Sequence, residues 1–374
     1  MKIVQVCPRY YPDIGGVETH VNEISERLVK RGFEVEVVCT DPTGKHPKKG
    51  IINGVKVRRF RSIAPDDAYF FAPQIYFYLK KAKCDVIHAH NYHALPAFFA
   101  ALAKNDRKFV FTSHYHGKGH TILRNILHAP YKFLGSGIFR KADRVICVSR
   151  YEKELTKDNF GLSDEKLACV PNGINLEEFR IKGGVKNKKT ILYVGRLERY
   201  KGVQHIIRAL SYLEDYKLVI VGKGPYEDEL RKLAFSIDVN DRIEWLKDLS
   251  REELLEQYKS AGIFVSLSSF EAFGITVAEA LASVTPCIVA EKGALKEFID
   301  DRICFGLRNP ENVNELAEKI IEVSKSKLEI NFSDLPKDKI KIRSWDEVVD
   351  EYEKIYKELN VWNDKNVREK KIRK

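Results

Sequence analysis

The sequence contains no run of apolar residues near the roughly 20 that a membrane-spanning helix needs. Its opening stretch, Met1 to Cys7, is too short for the apolar part of a signal peptide and reads as a first strand. The seven cysteines, Cys7, Cys39, Cys84, Cys147, Cys169, Cys287 and Cys304, include no Cys-x-x-Cys pair and no metal-ligand spacing. A disulfide scaffold and a zinc module are thereby excluded. Most of these thiols fall inside apolar strand-like runs, where buried free cysteines belong, and that usage points to a reducing cytoplasm. No Gly-x-Gly-x-x-Gly follows either of the two strands that open the halves of the chain, which argues against a dinucleotide-binding dehydrogenase. No Asp-x-Asp lies in a suitable turn, and no nucleic-acid-binding module accompanies the positive charge, so no nucleic-acid partner is expected.

What is present is a 374-residue chain with 44% hydrophobic and 31% charged residues, a length that suits two globular domains. Strand-like runs alternate with helical ones throughout: Ile3–Cys7, Val35–Cys39, Val55–Phe60, Val86–Ala89, Phe109–Ser113, Val145–Val148 and Leu167–Val170, then Ile191–Val194, Leu218–Val221, Ile243–Leu246, Ile263–Leu267 and Cys287–Ala290. Such alternation predicts parallel sheets covered by helices on both faces. Both halves open with a strand, a glycine-containing turn and a helix, so two doubly wound, Rossmann-like domains are expected, 1–178 and 179–345. Ligand loops would then lie at carboxyl strand ends and meet in one cleft if the domains face one another. The Gly- and Lys-rich stretch 179–189 reads as the linker.

The most informative segment is 263–284. Here an apolar strand leads through Ser268-Ser269 to Glu271-Ala-Phe273-Gly274 and a helix that starts near Ile275 and carries Glu279 about one turn in. Gly274 lets backbone approach a ligand where the first helical N–H groups have no internal partner, a natural phosphate site. Carboxylates do not bind phosphate, so Glu271 and Glu279 are expected to meet hydroxyls. Phosphate and hydroxyls together suit a nucleotide-sugar. Taken singly, Glu271 reads equally as an N-cap acid and Glu279 as a solvated helix residue.

Glu271-Ala-Phe273-Gly274-(x4)-Glu279 resembles the E-x7-E signature of retaining glycosyltransferases of family 4, which have the two-domain GT-B fold. The resemblance extends over nearly the whole chain. Gly195-Arg196-Leu197-(x3)-Lys201-Gly202 places two cations where a strand ends and the next helix begins, and it is similar to the family's diphosphate clamp. The resemblance then implies that Arg196 and Lys201 stabilise a leaving nucleoside diphosphate without a metal or other cofactor. Gly222, in Gly222-Lys223-Gly224-Pro225, belongs to a further loop that could face the nucleotide. Gly15 and Gly16, in Tyr11-Pro-Asp-Ile-Gly-Gly-Val-Glu18, resemble the glycine loop that closes over the donor phosphates, and on sequence alone they equally make a tight turn. Phe111-Thr112-Ser113-His114 resembles the strand exit whose histidine stands beside the transferred sugar. His116 competes for that role through Tyr115-His116-Gly117. His88, His90 and His93 could suggest a metal, but no acid or thiol accompanies them at ligand spacing. By the same resemblance the helical stretch within 346–374 crosses back to complete the N-terminal domain. The chain departs from the family at Ser283-Val284-Thr285, where relatives commonly have a glycine.

The implied activity is transfer of a sugar from a nucleoside-diphosphate donor, UDP or GDP, to a hydroxyl of a sugar, a lipid-linked or a polymer acceptor. An epimerase or hydrolase acting on nucleotide-sugars, or a binding protein without turnover, are the competing readings. The net charge of +11 is unevenly placed: residues 1–178 hold 28 Lys and Arg against 19 Asp and Glu, whereas residues 179–362 hold 30 against 32. Donor phosphates therefore do not account for the excess. Segments 69–83 and 118–141 mix aromatic and aliphatic residues with Lys and Arg. They read either as interfacial helices on an anionic membrane, giving a peripheral location on its inner face, or as core-facing helices with a solvated basic side.

Overall fold

In a computed structural model, residues 1–65, 68–117, 122–180, 186–326 and 342–372 are described, with backbone alone at 122–130, 133, 180 and 360–372. They fall into two compact units, Met1–Asn172 with Trp345–Lys374, and Gly173–Ser344.

The first unit runs β1 (Lys2–Val6), α1 (Gly16–Lys30), β2 (Glu34–Asp41), β3 (Lys49–Ile52), β4 (Val55–Arg61), α2 (Gln74–Lys81), β5 (Val86–His90), α3 (Leu95–Ala103), β6 (Lys108–Thr112), α4 (Ile122–Lys141), β7 (Arg144–Cys147), α5 (Arg150–Phe160) and β8 (Leu167–Cys169). Its sheet order is β3-β4-β2-β1-β5-β6-β7-β8, parallel except for the β3–β4 pair. The strands are short and nearly all apolar because both faces of a parallel sheet are covered. β1, with Ile3, Val4 and Val6 all at zero exposure, is the clearest case.

The second unit runs α6 (Leu176–Arg180), β9 (Asn187–Val194), α7 (Val203–Ala209), β10 (Lys217–Val221), α8 (Glu227–Ser236), β11 (Ile243–Leu246), α9 (Arg251–Ser260), β12 (Ala261–Ser266), α10 (Ile275–Ala282), β13 (Cys287–Ala290), β14 (Cys304–Leu307) and α11 (Val313–Lys325). Its six strands are all parallel, in the order β11-β10-β9-β12-β13-β14. The last helix, α12 (Trp345–Ile372), belongs to the first unit. It packs Val348, Val349, Tyr352 and Ile355 against Val21, Ile24 and Leu28 of α1, and Arg31 reaches Asp350 at 2.6 Å.

In each unit the strand order reverses beside the opening strand: β1 lies between β2 and β5, and β9 between β10 and β12. Loops at such a switch point diverge and leave room for a ligand at the carboxyl ends. Two strands, β3 and β14, escape the sequence reading. β3 is a mostly exposed edge strand joined to β4 by Asn53-Gly54, both at positive φ (47° and 84°), the turn that matches hairpin twist. The stretch read as a linker needs correction at both ends, since Phe179 and Arg180 close α6 and Asn187, Lys188 and Lys189 are already strand, with Asn187 beside Ala261 of β12. Residues 181–185 lie outside the described residues.

Candidate functional site

In the second unit the loops after β9 and β10 meet backbone to backbone. A Cβ on Gly222 would collide with the Gly195 carbonyl, and both glycines stand at large positive φ (151° and 155°). At Gly202 (φ 78°) a Cβ would lie 2.7 Å from the Leu267 carbonyl oxygen, so the β9 loop also presses on the loop leaving β12. This contact brings Lys201 to Glu271: the ammonium donates to the carboxylate with both side chains mostly buried, 17% and 22% exposed. Burial works against the charge on Lys201, but the Glu271 carboxylate together with Tyr200 and Tyr193 outweighs it and holds the pKa above the usual lysine value. Arg196 does not join this pair. Its guanidinium is half-exposed and bonds Glu198 at 3.1 Å, although Tyr200 feels both cations.

Beyond Glu271, Phe273 is buried against Phe298 (5.5 Å between centroids). Gly274 caps α10 at φ 109°, where a Cβ would stand 2.9 Å from Leu295. As in any helix, the first N–H groups, here those of Ile275 and Thr276, lack intrahelical acceptors and carry the positive end of the dipole. Glu279 is 8% exposed and has one donor on each oxygen, accepting from Arg251 at 2.7 Å and from the Tyr258 hydroxyl at 3.0 Å. Arg251 also bonds Glu178 at 2.7 Å. Arg251 and Tyr258 went unnoticed in the sequence because their role depends on α9 packing beside α10. The helix exit is strained: Val284 holds φ 56°, rare for a β-branched residue, while its N–H bonds the Leu281 carbonyl at 2.8 Å.

In the first unit Gly15 precedes α1 in extended backbone, and a Cβ there would collide with the carboxylate of buried Glu18, itself bonded to Arg9 at 3.1 Å. Gly16 is the first residue of α1 and a Cβ there meets nothing. His114 follows β6 at φ 47° and is 9% exposed. Its ring meets His20 edge-on (4.9 Å, 89°). Burial pushes the pKa values of His20, His88, His90 and His114 down, that of His20 to about 4, so these imidazoles are neutral near pH 7. His116 instead stacks on His93 (4.4 Å).

The histidines that gather are therefore not His88, His90 and His93. His88 spends both ring nitrogens, on Tyr356 (2.6 Å) and Thr112 (2.8 Å). His20, His90 and His114 bring one nitrogen each within 4.8 Å of the others and, among the described residues, are the group that could hold a cation. His20 Nδ1 donates to Asn172 (2.7 Å) and His90 Nε2 to Gln5 (2.8 Å), which fixes lone pairs on His20 Nε2 and His90 Nδ1. The His20 lone pair accepts from the Tyr352 hydroxyl at 3.1 Å.

Of the two basic aromatic segments, 69–83 contains α2, which buries Ile75 and Leu79 and leaves Phe77 65% exposed, and Phe71 ahead of that helix is 46% exposed. In 118–141 the described side chains divide similarly: Tyr131, Ile138 and Phe139 are buried, whereas Lys132, Leu134, Arg140 and Lys141 are exposed. Lys118 and the Arg124 side chain lie outside the described residues. Among the described residues no helix is long and apolar enough to cross a membrane.

Residues 14–178 match the profile of the family described as Glycosyltransferase Family 4, and residues 175–338 that of Glycosyl transferases group 1. An uncharacterized glycosyltransferase of Methanocaldococcus jannaschii is 30% identical, covering 96% of this chain and 98% of its own. The alpha-monoglucosyldiacylglycerol synthase of Streptococcus pneumoniae is 27% identical over 86% of this chain and 78% of its own. Among solved structures, Anabaena HepE in complex with UDP-glucose superposes with a TM-score of 0.77 at 16% identity, over 96% of this chain and 100% of that one.

Proposed function

From the premise that this chain belongs to the family 4 glycosyltransferases and has the GT-B fold, we propose that it transfers a sugar with retention from a UDP-sugar to an acceptor hydroxyl, without a metal. The observation that carries this reading is the Lys201–Glu271 pair beside the Gly274-capped start of α10. It offers a buried cation and free N–H groups to a diphosphate, next to a carboxylate suited to hydroxyls. The anomeric carbon–oxygen bond to the diphosphate breaks and a bond to the acceptor oxygen forms on the same face. The acceptor proton passes to the departing diphosphate. Lys201, Arg196 and the N–H groups of Ile275 and Thr276 stabilise the charge that develops on the leaving group. Glu271 holds hydroxyls of the transferred sugar and Glu279 those of the ribose. To His114 we assign contact with the transferred sugar.

HepE supports UDP as the donor nucleotide through the UDP-glucose in its complex. The diacylglycerol-linked product in the name of the pneumococcal relative supports a lipid acceptor. That choice also fits the exposed Phe71 and Phe77 of segment 69–83 and the exposed Lys132, Leu134, Arg140 and Lys141 of segment 118–141, for which we propose peripheral contact with an anionic membrane. The test is incubation with UDP-glucose and diacylglycerol vesicles, reading UDP release and the anomeric configuration of the glycolipid by NMR. An α-linked product establishes retention from this α-linked donor. Release of free glucose alone points to a hydrolase, and tight binding without turnover to a sensor.

A further inference from the structure

Glu152, in the first turn of α5, is wholly buried and serves no ion pair among the described residues. Its Oε1 accepts from the Ser113 hydroxyl at 2.5 Å and from the Tyr115 N–H at 2.6 Å, and its Oε2 accepts from the Val148 N–H at 2.7 Å. Its own N–H is held by Ser149 Oγ at 3.0 Å, so the start of α5 fixes the carboxylate in place. The two residues gripped by Oε1 are those on either side of His114, whose positive φ is a conformation that must be imposed by its surroundings. Resting on the reading that His114 touches the transferred sugar, we infer that Glu152 is a positioning residue that clamps the β6 exit so that the His114 ring is presented in its working orientation.

A carboxylate is needed for this, because all three contacts are donors. A glutamine in its place could keep Oε1 on Ser113 and Tyr115 only by turning its amide N–H toward the Val148 N–H, and the flipped amide faces the Tyr115 N–H with a donor and meets Ser113 only by reversing that hydrogen bond. Burial pushes the Glu152 pKa up to about 7 against the pull of its three donors, from Ser113, Val148 and Tyr115. The titratable groups facing it are Cys147 at the end of β7 and Tyr352 of α12. Below that pH the protonated clamp turns one acceptor into a donor, so turnover falls as pH falls through about 7. The stability contribution has the opposite sign. A carboxyl whose folded pKa is raised favours the folded state below its unfolded value near 4.5 and loses that contribution as pH rises through 7.

The experiment is a double-mutant cycle on the full chain, with UDP release from UDP-glucose as one readout and histidine-selective NMR of the ligand-free protein as the other. Glu152→Gln is expected to shift the His114 ring signals, to lower kcat about 10- to 100-fold with KM within about twofold, and to abolish the limb near pH 7. In the His114→Ala background the same substitution is expected to cost no further kcat. Losses that multiply in the double variant, with His114→Ala itself defective, or His114 signals unmoved by Glu152→Gln, overturn the inference. If His114→Ala turns over UDP-glucose like the parent, the assignment of His114 fails first and the role of Glu152 falls with it. If the parent releases no UDP, UDP-glucose is refuted as donor, and the NMR arm alone decides the clamp. Ser113→Ala, which removes one contact and leaves the carboxylate, should shift the same signals less and covers the case in which Glu152→Gln does not fold.

Discussion

Replacing Lys201 with alanine separates the two roles that the Lys201–Glu271 pair combines. Sequence alone suggests a variant that folds normally and fails in catalysis, because a clamp cation waiting for phosphate has no folding partner. The structure changes that expectation, since Lys201 is mostly buried against the Glu271 carboxylate. Removing one member of a buried pair strands the other charge, at about 3–5 kcal/mol for full burial. With Glu271 22% exposed, water recovers part of this, so about 2–3 kcal/mol is expected for Lys201→Ala. Adding Glu271→Gln neutralises the stranded charge and should restore most of the loss. Neither variant regains the cation, so both should lose about 10²- to 10³-fold in kcat/KM, the scale of one removed transition-state donor. Urea denaturation followed by circular dichroism gives the first quantity and UDP release from UDP-glucose the second. A Lys201→Ala protein within threefold of parental kcat/KM would refute the clamp. One as stable as the parent would refute the pair.

Three further outcomes follow from single features. Val284→Gly should stabilise the chain by about 1 kcal/mol in the same urea titration, because a glycine adopts the left-handed helix exit without the strain of a β-branched residue. Turnover should survive EDTA; activity lost on chelation and restored by Mg²⁺, Mn²⁺ or Zn²⁺ would direct attention to His20, His90 and His114. On acidification, histidines with depressed folded pKa values keep their full stability contribution above their unfolded value near 6.5 and lose it as pH falls toward 4. His20 alone accounts for about 3 kcal/mol, and His88, His90 and His114 add to it and outweigh the opposing Glu152. Denaturant midpoints that stay level between pH 6.5 and 4 would contradict this.

Much of the architecture was legible because a parallel sheet writes itself as short apolar runs separated by helices. The runs beginning at Ile3, Val35, Val86 and Ile263 all emerge as strands. β3 was missed for the opposite reason: an exposed edge strand has no buried face to mark it, and only the Asn53-Gly54 turn betrays it. The glycines of the β9 and β10 loops were legible as loops, but not as mutual contacts, since Gly195 meets Gly222 only after two strands are set side by side. The histidine cluster draws on α1, β5 and the β6 exit, three segments distant in sequence. His20 shares the buried side of α1 with Val21 and Ile24, and a polar residue there was a signal for an internal partner.

The residues that hold the site were harder to see than those expected to touch a ligand, and the difference has a physical cause. Spacing within one segment sets which side chains emerge at a helix start, so Glu271, Gly274 and Glu279 stand out together. What aims an acid comes from elsewhere in the chain. Lys201 reaches Glu271 from the β9 loop, and Arg251 and Tyr258 reach Glu279 from α9. A carboxylate offers about four lone-pair positions, so Glu279 can satisfy both of these donors and still accept from a hydroxyl. The same contacts fix its direction before any ligand arrives, which lowers the ordering cost of binding. A motif of acids at fixed spacing thus records the face turned toward a ligand, and the cations that orient it are found by packing.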